Sequence, residues 1–550
     1  MTGEVALPAA RSSVSHVIGA SALGTLFEWY DFYLYGSLAG FIASHFFSAV
    51  NETTGFIFAL ATFAVGFIVR PVGALIFGRV GDLAGRKNTF LVTLALMGTS
   101  TFLVGILPGY DSIGIAAPLI LVVLRILQGL AIGGEFAGAI IYVAEHAPAD
   151  KRGLYTGFVP ATAISGLLLS LIVIMATRVN MTPEAFADWG WRIPYLISIV
   201  LLGISLWIRL RLHESPVFLE MKETRALSTA PLAESFLRWQ NLKIVLIALF
   251  GCVAGQAVVF YTGTVYAFNF LEHTARVDGL TAAVLFGCAL VIGAPLILLF
   301  GWLSDRIGRK PIIIGSALLT VLFAFPLFKA LVSAANPALA HAQESSPVIV
   351  SADIRECSPQ FDPVGRKRFD ASSCDIIKSF LAHESVNHET RPLQGPGPAR
   401  LGIGAQMIVA PDPAGLGAGQ RAAAIAEFQK QARLALDQAG YRAEADPQAI
   451  DRPRVIAILA MLVGLAAMGT GAYAAALVEL FPARIRYSSL SFPQNFGNGW
   501  LGGLLPAVAF TIVAATGNIY AGLWYTVGVA LLCVVVAVFT LPETRGRPIL

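Results

Sequence analysis

Long apolar runs separated by short polar loops organise this chain. Twelve runs reach or approach the ~20 residues that a helical membrane span requires. They are Val14–Phe46, Gly55–Phe77, Phe90–Leu107, Ile115–Ala144, Leu154–Ala176, Pro194–Leu210, Ile244–Phe270, Leu280–Leu303, Ile312–Leu331, Val455–Leu477, Leu490–Ala514 and Tyr520–Leu541. The pattern fails between Ala338 and Pro453, where charge, Pro and Gly rise. There Val348–Val350 and Met407–Val409 are strand candidates. Arg421–Ala439 is an amphipathic helix, with Ile425, Phe428, Ala432 and Leu436 on one face and Gly440 as its stop. Gly395–Pro398 and Pro411–Gly419 are expected to be loops.

Composition turns this pattern into a membrane protein. Hydrophobic residues make up 56% of the chain, charged residues 13%, and the mean hydropathy is +0.71; soluble domains carry about 25% charge. The lipid bilayer is therefore a partner, and a net charge of +4 gives no reason to expect nucleic acid. A polar start containing Arg11 runs into a segment too long for a cleaved signal peptide. With the segments alternating, Arg86, Lys87, Lys151, Arg152, Arg209, Arg309, Arg484, Arg486 and Arg545 fall on one side, and only Arg178, Arg192 and Arg276 on the other. The positive-inside rule then makes both termini cytoplasmic and puts 338–453 outside.

Two motifs recur. Gly78-Arg79-Val80-Gly81-Asp82-Leu83-Ala84-Gly85-Arg86-Lys87 returns 223 residues later, from Gly301, with Asp305, Gly308, Arg309 and Lys310 at the same spacing. Glu145…Pro148…Arg152 returns 334 residues later as Glu479…Pro482…Arg486. Such repeats mark transporters built from two related halves with substrate held between them. The difference of 111 residues locates the insertion in the second half. The expected fold is an all-α membrane protein of twelve transmembrane helices in two pseudo-symmetric six-helix halves. Its parts are residues 1–212, a cytoplasmic linker at 213–243, a second half at 244–337 and 454–550, and a small soluble periplasmic insertion at 338–453.

Charge inside the spans points to function. Glu28 and Asp31 are three apart, on one helix face. They lie about 16 and 21 Å into the first segment, near the middle of a hydrocarbon core about 30 Å thick. Acids at that depth are costly and are expected to carry function. Arg125 lies about 14 Å into segment four, level with Glu28, and Gln128 and Glu135 are close to its face. A midplane arginine must pair with Glu28, with Asp31 or with a substrate carboxylate. Arg70, before Pro71, is expected either to snorkel to the interface or to bind. At the repeat offsets Glu28, Asp31, Arg125 and Glu135 map to Gly251, Ala254, Leu459 and Gly469. The first half thus holds the charge chemistry. The second half offers neutral groups: Gln256, Tyr261, Asn269, Tyr473, Gln494, Asn495 and Asn498.

Three sets of roles follow. Glu28, Asp31 (the preferred carrier) and Glu135 are candidates for proton coupling, since burial disfavours the charged form of an acid while a nearby arginine favours it. Arg125, Tyr30, Gln128, Gln256, Tyr261, Gln494 and Asn495 are candidates for substrate binding. Asp82, Arg86, Glu145, Arg152, Asp305, Arg309, Glu479 and Arg486, at span ends beside basic loops, are candidates for gating. Cys357 and Cys374, the only cysteines outside the spans, are expected to pair in an oxidising compartment. His383-Glu384 and His388-Glu389 have i, i+5 spacing and miss the one-face geometry of a zinc helix. No metal, cofactor or enzymatic motif is expected, and no Walker-type loop supports an ATP-driven pump.

These motifs resemble the major facilitator superfamily, with its Gly-x-x-x-Asp-x-x-x-Gly-Arg-Lys loop in both halves. Within it they are similar to the metabolite:proton symporters, whose first helix carries the pattern seen at Glu28–Phe32. That family's fourth helix carries the pattern seen at Arg125, Gln128, Gly129, Gly133, Gly134 and Glu135. The resemblance covers both membrane halves and not 338–453. It implies proton-coupled uptake of a small organic acid or zwitterion across a bacterial inner membrane; family substrates include α-ketoglutarate, citrate, shikimate, proline and betaine. A competing reading makes the chain a transceptor or anchored binding protein whose insertion senses a ligand.

Overall fold

A computed structural model describes residues 14–49, 52–211, 214–358, 369–384, 386–393 and 397–549. Part of the expected Gly395–Pro398 loop lies outside these, as do 212 and 213 at the expected linker boundary. The molecule is mostly helical. The helices used below are α1 (Val14–Ser37), α2 (Glu52–Ile68), α3 (Arg70–Ala84), α4 (Arg86–Ile106), α5 (Ala116–His146), α6 (Arg152–Val179), α7 (Ile193–Leu210), α8 (Trp239–Thr274), α9 (Gly279–Ile307), α10 (Arg309–Ala335), α11 (Arg452–Leu480), α12 (Ala483–Thr516) and α13 (Leu523–Thr540). Among the described residues, ten helices are long and apolar enough to cross a membrane, or eleven when α2 and α3, bent by 41° at Val69, count as one span. The bend has a cause in the sequence. Pro71 has no N–H and its ring crowds the carbonyl one turn back, so the helix restarts at Arg70.

In the insertion both expected strand segments, Val348–Val350 and Met407–Val409, lie in strands, and two further strands join them. A four-stranded sheet lies there, in the order β2-β1-β3-β4, with β1 Val348–Ala352, β2 His388–Pro392, β3 Arg400–Ile403 and β4 Gln406–Val409. Val348, Val350 and Ala352 alternate inward against helices Ser373–His383 and Ala418–Gln438. Their partners Phe380, Phe428 and Leu436 belong to the same apolar cluster as Phe270, Phe328 and Leu459 of the second half. The insertion therefore shares a continuous core with that half and does not hang from it as a separate module. Polar ties reinforce this. Arg276, in the α8–α9 turn, donates to the carbonyls of Tyr441, Arg442 and Glu384, and the His388 amide donates to the Gly517 carbonyl at 2.8 Å. Cys357 and Cys374 are disulfide-bonded, with Cα atoms 5.2 Å apart.

Wide π-turns interrupt two helices, at Leu249–Val253, Thr262–Tyr266 and Phe270–Thr274 of α8 and at Gly497–Gly502 of α12. Such turns expose backbone groups and occur frequently at functional sites. Here they flank Gln256 and Tyr261 in α8, and Gln494 and Asn495 precede the one in α12.

Candidate functional site

Two pseudo-equivalent charge clusters close the face that carries Gly85 and Gly308. Both glycines have φ +105°, a value that strains any residue with a Cβ, so each motif makes the same reversal between its helices. Asp82 then accepts the amides of Tyr487 (3.2 Å) and Ser488 (2.9 Å). Asp305 accepts those of Gly153 (2.7 Å) and Leu154 (2.8 Å). Each acid thus caps a helix start in the opposite half, where unpaired amides favour negative charge. Arg486 bonds Glu145 at 2.8 Å and Arg152 bonds Glu479 at 2.9 Å, again across the halves. Arg86 completes one cluster, 3.2 Å from Asp82 and 3.8 Å from Glu145; Arg309 completes the other, 2.7 Å from Asp305 and 3.2 Å from Glu479. The eight residues expected to gate therefore fall in two clusters of four, each joining the two halves. Glu214 and Glu543 were not singled out from sequence, yet they cap the helices that follow. Glu214 accepts the Arg86 amide (3.1 Å), and Glu543 those of Arg309 (2.9 Å) and Lys310 (3.1 Å). Burial pushes the Glu543 carboxyl up, but its backbone N–H donors outweigh this and hold it below the usual carboxylate range.

Between the halves, away from these clusters, lies a small cavity of about 30 Å³. One wall comes from the first half, with Trp29, Arg70 and Phe136; the other carries Gln256, Tyr261, Tyr473, Gln494 and Asn495. The neutral groups are pre-positioned. Gln256 donates to Thr470 Oγ1 (3.1 Å), Gln494 to Tyr473 Oη (3.2 Å), and Asn495 to the Gly133 carbonyl across the halves (2.7 Å). The Arg70 guanidinium sits 4.6 Å from the Phe32 ring centre and 4.5 Å from that of Phe67. Its Nε and Nη2 have no hydrogen-bond partner among the described residues.

Three expected binding residues lie elsewhere. Arg125, Tyr30 and Gln128 do not line this cavity. Arg125 is stacked 3.5 Å from the Tyr35 ring centre; Tyr30 donates to the Pro194 carbonyl (2.8 Å) and Gln128 to Thr101 (2.7 Å). All three sit inside the first-half bundle because their helices turn those faces away from the second half. Glu28 and Asp31 also diverge in company. Asp31 accepts from Ser198 at 2.7 Å, whereas neither oxygen of Glu28 has a partner among the described residues. Glu135 pairs at 2.7 Å with Arg209, which is buried and lies 3.5 Å from the Phe90 ring centre. Arg209 was expected among the basic loop charges, and its burial is a correction. The available signal was its apolar surroundings, Leu206-Trp207-Ile208 before it and Leu210 after, together with a buried Glu135 in need of a partner.

Comparison with known proteins decides the family. The model of the Major Facilitator Superfamily matches residues 21–349, and that of sugar (and other) transporters matches 445–550. The chain belongs to the Major Facilitator Superfamily. It is a membrane transporter and not an enzyme. It is 35% identical to the α-ketoglutarate permease of Escherichia coli over 60% of this chain and 74% of the relative. It is 38% identical to the shikimate transporter of the same organism over 60% and 74%. A putative proline/betaine transporter of Staphylococcus aureus is 37% identical over 55% and 65%. Among solved structures, the proton:xylose symporter XylE bound to 6-bromo-6-deoxy-D-glucose superposes with a TM-score of 0.62 over 98% of this chain and 97% of that one. At 15% identity this likeness speaks for the superfamily fold alone. Neither family model covers residues 350–444, which fall within the insertion.

Proposed function

We propose that this transporter is a proton-coupled symporter that imports a small organic acid or zwitterionic metabolite by alternating access. The cavity carries the reading: a guanidinium with free donors on one wall, neutral amides on the other, and a buried acid cluster behind. Arg70 takes the anionic group of the substrate, since a planar guanidinium with unpaired N–H groups suits a carboxylate. Gln256, Tyr261, Gln494 and Asn495 read the remainder of the molecule. Glu28, Asp31 and Glu135 supply the proton site, and the two charge clusters latch the basic face while the opposite face is accessible. The spans number twelve, in two six-helix halves. By the positive-inside rule the latched face and both termini are cytoplasmic in a bacterial inner membrane, and the insertion is periplasmic. The named substrates of the relatives support an acid or zwitterion as cargo.

The test is uptake by proteoliposomes of α-ketoglutarate, citrate, shikimate, proline and betaine, with and without an imposed inward proton gradient. At least one should accumulate above equilibrium only with the gradient. Exchange of a substrate without gradient-driven accumulation would refute proton coupling.

A further inference from the structure

Away from the gate, the first half buries three acids and three guanidinium groups: Glu28, Asp31 and Glu135 with Arg70, Arg125 and Arg209. They form two overlapping neighbourhoods. Asp31, bonded to Ser198, has Glu135 and then Arg125 among its charged neighbours, and Arg125 has Asp31 among its own. Glu28 has Glu135, Arg209 and Arg70 around it as well as Asp31. Arg209 bonds Glu135 through Nη1, while its Nη2 has no partner among the described residues. That Nη2 lies against Gly24, where a Cβ would overlap it. Gly24 is one turn before Glu28 on the same face of α1. The unused donor of Arg209 therefore lies beside α1 one turn from Glu28, whose carboxylate is unpartnered among the described residues, and one oxygen of Glu135 is also unpartnered. On the side of α12, Tyr487 closes the group; it donates to the Gly134 carbonyl at 2.8 Å and brings no fixed charge.

Charge counting gives the trio a function. Two acids lie near one guanidinium that bonds only Glu135, so ionising both leaves an excess of one negative charge in a medium where an unbalanced charge is costly. In the empty transporter Arg70 offsets it from the cavity wall. A substrate anion that engages Arg70 removes this compensation. We propose that Glu28 and the Arg209-bonded Glu135 form the site that takes up one proton when an anion occupies Arg70. This rests on the symport reading and deepens it: one proton accompanies each carboxylate bound at Arg70. The proton comes from water at the open face and forms one O–H bond on the Glu28–Glu135 pair. It leaves when the anion departs and Arg70 again balances the trio. Arg209 is a positioning residue, handed between the two acids as either one is neutralised.

Infrared difference spectroscopy of the purified full-length protein, in water and heavy water, tests this without a known substrate. Arg70→Gln imitates an occupied Arg70 by deleting its charge. Against wild type it should gain one carbonyl band of a protonated carboxyl, sensitive to heavy water. In that background Glu28→Gln and Glu135→Gln should each abolish the band, because one acid and Arg209 then balance. Asp31→Asn should leave it, and Arg70→Lys alone should not produce it. Arg70→Met, which keeps bulk between the two rings, is the second variant should glutamine disturb folding. A band missing from both Arg70 variants, or removed only by Asp31→Asn, overturns the proposal. The two readings fail separately. A symporter with its proton on Asp31 passes the gradient test and fails this one. A uniporter with the same trio passes this one and fails the gradient test.

Discussion

Asp82→Asn isolates the gate from the binding chemistry. Asp82 is fully buried and accepts two backbone amides from the start of the Tyr487 turn. Hydrogen bonds to a charged group contribute about 1.5–3 kcal/mol each. Asparagine retains one acceptor oxygen but turns a donor toward the second amide, so at least one such bond is lost. With a tenfold change per 1.4 kcal/mol, the ratio of latched to open molecules should fall about 10- to 150-fold. Spin labels at Asn88 and Arg306, exposed positions on the basic face in opposite halves, would report it by their distance distribution in a background lacking Cys288. The variant should shift the population to longer distances, and Asp305→Asn should do the same because it caps Gly153 and Leu154 in the mirrored arrangement. Equilibrium substrate affinity should change far less than uptake. A distance distribution identical to wild type for both variants would refute the latch, and a collapse of affinity with unchanged distances would move Asp82 into the binding site.

Other perturbations separate neighbouring roles. Arg70→Lys should weaken binding of an anionic substrate about 10-fold or more by losing the planar fork. Arg125→Lys should leave affinity nearly intact and instead lower the melting temperature, through loss of a cation–π stack contributing about 0.5–2 kcal/mol; isothermal titration and thermal shift read the two. Replacing both Cys357 and Cys374 by Ser opens a closure of 17 residues and should destabilise the insertion by about 3 kcal/mol in the chain-entropy account, measurable as earlier thermal or proteolytic opening of that region. Glu543 is held below its ordinary carboxylate range, so its contribution to folding stability is complete above the unfolded-chain value and disappears as pH falls through the lower folded value. The melting temperature should therefore fall at acid pH in wild type, and Glu543→Gln should remove that part of the acid response.

How far the sequence reaches depends on the kind of information a residue carries. The candidate gating residues were legible because they recur: Asp82 and Asp305, or Arg152 and Arg486, occupy matched positions, and each makes across the halves the contact that its counterpart makes in the other cluster. Depth was legible too, since rise per residue fixes it. Azimuth was not. Arg125 and Arg70 are both buried arginines of the first half, but only the break before Pro71 swings Arg70 onto the cavity wall. Arg209 was hidden by a counting rule that reads every cation near a span end as a loop charge. In the insertion, β1 and β4 carry apolar runs, whereas His388-Glu389-Thr390-Arg391-Pro392 has no apolar alternation and pairs only because β1 offers it an edge. The shared core of insertion and second half was equally invisible, because no local pattern records what lies beneath a helix such as Ala418–Gln438.

Symmetry in this molecule divides along function. At the proposed gate the residues are matched one for one: acid to helix start, Glu145 to Arg486 as Glu479 to Arg152, and Glu214 on the Arg86 amide as Glu543 on that of Arg309. Where charge must be handled the pairing is abandoned, and Gly251, Ala254, Leu459 and Gly469 stand opposite Glu28, Asp31, Arg125 and Glu135. A second acid cluster facing the first across the cavity would place like charges on both walls, and an anionic substrate would have to overcome them twice. Confining charge to one wall lets a single arginine set the balance, while neutral amides on the other can follow the rocking motion without breaking ion pairs. The insertion is fixed to the neutral half through Arg276 and the Gly517 turn, so in the proposed rocking motion it belongs with the wall that carries no charge.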